Sequence, residues 1–111
     1  MFEDLLADYL YHYHSGERNI ISSRELEATF RIRGSELRRM INHLRVDGIP
    51  ICSTDKGYFY AETNEELERT IRQLQSRIKK IARAERGLVK ALERRTNSNQ
   101  ITFPLEGGDT D

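Results

Sequence analysis

The chain has a single cysteine, Cys52, among 111 residues. No disulfide can form within it, and no cysteine-based metal cluster can be built. Its uninterrupted apolar runs are only a few residues long, far short of the ~20 needed to cross a bilayer. The N-terminus reads Met1-Phe2-Glu3-Asp4, acidic where an export signal must be basic. There is no glycine-rich phosphate loop, no metal-ligand cluster and no nucleophile beside a matching base, so the chain reads as a non-enzyme without cofactor or metal. His12 and His14 are two residues apart on a helix, about 200° around its axis, and cannot share a metal ion. His12 reads as structural among Tyr9, Tyr11 and Tyr13, and Cys52 as a small core or edge residue of a strand.

An excess of charge of either sign is also missing, since the net charge is zero. Its distribution matters more than its sum. Residues 1–16 carry three acids and no bases, whereas residues 64–95 carry ten bases against five acids. Residues 17–60 hold eight bases against six acids, and the segment from Thr96 holds three acids alone. The acidic ends mask a basic middle.

Phe2, Leu5, Leu6, Tyr9, Leu10 and Tyr13 recur at helical spacing, so a first helix is expected from Phe2 to about His14, broken by Ser15-Gly16. Asn19-Ile20-Ile21 is β-prone. Ser22 and Glu25 form a capping box that opens a second helix, with Leu26 and Phe30 facing inward. A turn at Arg31-Ile32-Arg33-Gly34 leads into a third helix over 35–47, stopped by Gly48. Ile49 to Ser53 starts a strand, Asp55-Lys56-Gly57 turns, and Tyr58 to Ala61 returns. Asn64 is the expected cap of a fourth helix that can run to about Arg95, with Gly87 its weak point. The expected parts are therefore a compact unit over 1–62, a long helix over 63–95 and a flexible acidic tail over 96–111. The fold class is mainly α with a small β-hairpin wing.

Residues 26–48, LEATFRIRGSELRRMINHLRVDG, resemble the helix–turn–helix of GntR-type regulators. Leu44-Arg45, Gly48, Ile51 and Lys56-Gly57-Tyr58 are similar to the DNA-binding domain of the biotin-operon repressor. The continuation KGYFYAETNEEL, with a long helix after it, looks like small winged-helix proteins of phages and prophages of Gram-positive bacteria. The resemblance covers about residues 20–75. It implies a winged helix–turn–helix that binds double-stranded DNA in the bacterial host cytoplasm, and it places Arg38 and Arg39 in or beside the major groove. Two positions depart from the pattern. Arg31 stands where the family favours glycine, which is tolerable if its φ stays negative. Arg33 replaces the usual Ser/Thr cap, leaving Ser35 or the Gly34 backbone to cap the third helix.

At 100° per residue, Leu37, Ile41 and Leu44 share one face of the third helix, with Met40 at its edge. Ser35, Arg39, Asn42 and Val46 lie opposite, flanked by Arg38 and His43. Arg can bond guanine and Asn adenine bidentately in the major groove. The plain alternative is a solvated face that keeps the helix soluble. Lys56 at the wing tip can meet a phosphate, or mark only a tight turn. Arg24 and Arg31 are lower-ranked phosphate contacts.

Leu67, Ile71, Leu74, Ile78, Ile81, Leu88 and Leu92 fall at steps of four and three with one place skipped at Glu85, the a/d pattern of a coiled coil. A helix of ~30 residues, about 45 Å long, cannot bury this stripe on a domain of about 60 residues. A homodimer on these residues is expected; Ile at a with Leu at d favours two parallel strands, with antiparallel pairing the other arrangement. The alternatives are a helix folded back on its own domain, or a first half packed there while only the second half pairs. Gln100 to Leu105 resembles, imperfectly, the hexapeptides that dock replication proteins on the sliding clamp. It reads equally as a tail held on the dimer or as plain disorder. Two functions follow: a dimeric phage or prophage transcriptional regulator, or a winged-helix module that docks a protein partner in phage replication or host takeover.

Overall fold

The computed structural model describes residues 2–99. The elements are α1 (Phe2–Tyr13), a 3₁₀ turn (Glu17–Asn19), α2 (Ser23–Phe30), α3 (Gly34–Val46), β1 (Ile51–Thr54), β2 (Gly57–Tyr60) and α4 (Asn64–Asn99). Three helices, a two-stranded hairpin and a long helix follow one another in the order of a winged helix–turn–helix. Among the described residues no helix is long and apolar enough to cross a membrane. The chain divides into two units, one running to Gln73 and one starting at Leu74.

The first unit holds the core. Leu6 and Leu10 recur four residues apart on α1, Leu26 comes from α2, and α3 contributes Leu37, Met40, Ile41 and Leu44; all close on Ile21 and Ile51. Each of these is 5 % exposed or less. Ser22 precedes α2 rather than belonging to it, and its Oγ accepts a hydrogen bond from the Glu25 N–H at 3.1 Å. That supplies one orphan donor of the helix start with a partner.

The hairpin pairs Thr54 with Gly57 across a two-residue turn, Asp55-Lys56. Gly57 was expected at the tip; it lies instead inside β2, buried, with φ +148°. Ile21 and Tyr58 exchange backbone bonds of 3.0 and 2.9 Å along this strand. A Cβ on Gly57 would collide with the Ile21 carbonyl oxygen, so close backbone approach, not the tip, is what demands glycine. The same edge continues through Gly16 N–H to Tyr60 O at 2.9 Å and Tyr60 N–H to His14 O at 2.8 Å. No long unpaired strand edge is left on β2.

The cap of α4 is Thr63, not Asn64. The Glu66 N–H donates to Thr63 Oγ1 and the Thr63 N–H to Glu66 Oε1, both at 3.2 Å, a reciprocal capping box. Glu66 also accepts from the N–H groups of Glu62 at 2.7 Å and Glu17 at 2.9 Å. Partial burial pushes the Glu66 carboxyl upward, but these donors and the nearby Arg69 outweigh it and hold it below the ordinary carboxylate range. Arg69 in turn pairs with Glu17 at 3.0 Å. One turn on, the buried Thr70 accepts from the Ser53 N–H through Oγ1 at 3.2 Å. The first turns of α4 therefore belong to the compact unit. Cys52 lies buried beside them; burial raises its thiol pKa, against a hydrogen bond with Thr70 that lowers it.

Residues 96–99, expected to open a flexible tail, continue α4, and Gly87 does not interrupt it. Helical backbone bonding outweighs the weak propensity of Thr96, Asn97, Ser98 and Asn99. The segment Gln100–Leu105 and the rest of the acidic tail lie outside the described residues.

Candidate nucleic-acid interface

The order of buried and exposed positions on α3 follows from its period. Leu37, Met40, Ile41 and Leu44 are buried, which turns Ser35, Arg38, Arg39, Asn42, His43 and Val46 to solvent. Val46, 76 % exposed, is the most exposed of the large apolar side chains among the described residues. This is the face the sequence assigned to DNA, and the structure brings those residues together on one rigid element.

Two features hold α3 in place. Its preceding turn ends α2 with Arg31 in the left-handed region, φ 55° and ψ 50°, and the Ile32 N–H bonds to Glu27 O at 3.1 Å. This six-to-one bond is the Schellman termination, which usually employs glycine. The condition set for arginine at this position, a negative φ, is not met: the turn keeps the glycine-type geometry, and an exposed arginine occupies it. Behind the helix, Arg45 donates from Nε to Ile51 O at 2.8 Å and from Nη2 to Ser53 Oγ at 3.0 Å. It ties α3 to β1 of the wing. Sequence reasoning did not single out this role, because the partner atoms are strand groups that only the folded chain brings near.

The start of α3 also differs from expectation. Arg33 is the N-cap and makes no side-chain capping bond, while Gly34 and Ser35 lie inside the helix and cap nothing. The first-turn N–H groups thus have no side-chain acceptor from the cap. Arg33 itself is exposed at this end, a cation that the sequence pattern marked only as a missing hydroxyl cap.

Internal pairing sorts the exposed residues. Arg39 lies 3.8 Å from Glu36, one turn back, and both side chains are largely exposed, so the pair is weak. His43 Nδ1 is 2.9 Å from Glu3 Oε2 of α1, and this histidine is already engaged within the fold. Arg38 and Asn42 have no side-chain hydrogen bond or ion pair among the described residues. On the wing, Lys56 is exposed at the turn, where its N–H donates to Thr54 Oγ1 at 3.0 Å. Arg24 is exposed in the first turn of α2.

No family model, no characterised protein and no solved structure matches the chain. The functional reading therefore rests on residues and geometry. Among the described residues no group of three His, Cys, Asp or Glu side chains is placed to hold a metal ion.

On α4, Leu67 and Leu74 are half-buried. Ile71, Ile78, Ile81, Leu88, Val89 and Leu92 are 44–72 % exposed. Of the dimerisation residues expected from sequence, those before Leu74 thus share their helix turns with contacts to the compact unit, and those beyond it stand open.

Proposed function

We propose that this chain is a DNA-binding protein that reads double-stranded DNA with α3 in the major groove and sets Lys56 of the wing on the backbone. The observation that carries this reading is the exposed row Arg38, Arg39 and Asn42 on a helix whose opposite face is buried in the core. A recognition helix needs that division, with side chains free to reach base edges and a scaffold that cannot roll. Arg31, Arg33 and Arg24 supply cations for phosphates around it. Two copies joined through α4 would read two half-sites, since one short helix contacts too few base pairs to be selective. With the resemblance to small winged-helix proteins of phages and prophages, transcriptional regulation in a bacterial cytoplasm is the role that fits best.

Selection from a random or genomic duplex library, followed by titration against the selected site, tests this. Arg39→Ala and Asn42→Ala are expected to cost about 1–3 kcal/mol on the selected site and to relax preference at one position each. Lys56→Ala is expected to weaken all duplexes about equally and to lower the salt slope by about one. Absence of any duplex binding above background at moderate salt overturns the proposal.

A further inference from the structure

The helix beyond Leu74 carries an apolar stripe that its own unit does not cover. Ile78, Ile81, Leu88, Val89 and Leu92 are 44–72 % exposed, and Ile81, Ala84, Glu85, Leu88, Val89 and Leu92 line one continuous depression along it. We infer that a second copy of this chain covers the stripe in antiparallel orientation, each Glu85 of the seam meeting Lys79 of the partner. This rests on the reading that the chain pairs through α4, and it does not depend on what α3 binds.

Glu85 decides the orientation. It occupies an a position, the one charge inside the stripe, and it has no ion pair among the described residues. In a parallel, in-register pair, a faces a, and the two Glu85 carboxylates would be forced together between apolar layers. Like charges in so dry a seam are strongly unfavourable. In an antiparallel pair a faces d, so Glu85 faces an isoleucine and the two carboxylates no longer share a layer.

The register follows from which turns are free. Thr70 is buried against the hairpin, Leu67 is half-buried, and the turns up to Gln73, the exposed Ile71 included, belong to the compact unit, so the stripe of the second unit starts at Leu74. The antiparallel register that uses Leu74 to Leu92 sets Leu74 against Leu92, Ile78 against Leu88, and Ile81 against Glu85, each layer occurring twice. Lys79 then lies two residues, about 3 Å of rise, from the layer of the opposing Glu85. It stands on the flank where Ala82 is too small to block it. Each carboxylate can leave the seam sideways and meet an ammonium, giving two equivalent pairs.

Sedimentation of the full chain is expected to show a dimer. Ile78→Cys and Leu88→Cys are then prepared separately and oxidised, alone and mixed, with the unaltered chain as control because Cys52 is buried. The antiparallel seam predicts at least ten-fold more disulfide-linked dimer in the mixture than in either variant alone. Preferential linkage of either variant to itself overturns the orientation, and a monomer at all concentrations overturns the pairing; neither result bears on DNA binding. Because cysteine can weaken the seam, Glu85→Lys and Lys79→Glu provide a second measure. Each alone is expected to weaken dimerisation at least ten-fold, and the two combined to recover most of it. These residues are six apart on one helix and cannot meet within a chain, so failure to recover overturns the Glu85–Lys79 contact.

Discussion

Residues 2–73 and the helix from Leu74 onward solve the problem of apolar surface in different ways. In the first unit, side chains from three helices and the hairpin bury one another, and polar contacts such as Arg45 to Ile51 and Glu66 to Glu17 tie α3 to the hairpin and the start of α4 to the 3₁₀ turn. In the second, the apolar residues are no less regular, yet Leu88 is 72 % exposed and Ile78 65 %. Periodicity alone makes a helix amphipathic; it does not provide what the apolar face rests on. The compact unit covers its own apolar side chains, whereas the distal helix leaves its stripe open, and this is the face that the proposed pairing would cover. The change falls inside one continuous helix, between the buried Thr70 and Leu74.

Truncating one residue in each region tests that contrast most strongly. Leu37 is fully buried in the core, and Leu37→Ala is expected to destabilise the compact unit by about 3 kcal/mol, read as a shifted midpoint in chemical denaturation. Leu88→Ala removes a similar side chain from an exposed position. It is expected to leave that midpoint unchanged at low protein concentration and to abolish the concentration dependence that a dimer produces. A comparable loss of stability at low concentration from both would mean that the distal stripe is part of the same core.

Glu66 is where the compact unit takes hold of α4, so it offers a finer cut. Glu66→Ala removes half of the Thr63 capping box and leaves the N–H groups of Glu17 and Glu62 without their acceptor, an expected cost of about 2 kcal/mol. The lowered carboxyl pKa adds a pH signature. A carboxylate held below its ordinary range contributes stability that is fully present above that range and is lost as pH falls through the lowered value. Glu66→Gln is therefore expected to be less stable than the parent near neutrality and to converge with it in acid. A gap that stays constant across that window would show that shape, not charge, holds the joint.

Much of this arrangement was legible in the residues. The 3.6-residue period separated the buried from the exposed face of α3, and the apolar and turn residues placed the hairpin. What escaped detection depended on partners distant in the chain. Thr63 with Glu66 is a readable capping box, but Asn64 beside it is an equally good cap residue, and the contact of Glu66 with Glu17 that favours Thr63 is tertiary. Gly57 looked like a turn residue because the approach of Ile21 cannot be seen in a local window. Arg45 received no structural role from the sequence, since its acceptors, Ile51 and Ser53, lie on a strand that only the folded chain brings against it. For the interface, spacing identified which α3 side chains face outward, but not that Glu3 would engage His43.

Arg31 yields the smallest and most discriminating effect, because it sets stability against binding in one side chain. At φ 55° a non-glycine residue carries a cost on the order of 1 kcal/mol. Glycine removes that cost but adds entropy to the unfolded chain. Arg31→Gly is therefore expected to raise stability by only about 0.5 kcal/mol. If the arginine is kept at this glycine-type position for its charge, the same variant loses one phosphate contact. Duplex binding should then weaken two- to ten-fold for every sequence, with the salt slope lower by about one. Stability up and binding down is the expected pair of outcomes. Unchanged binding would remove Arg31 from the interface, and lower stability would show that contacts of its side chain offset the strained backbone.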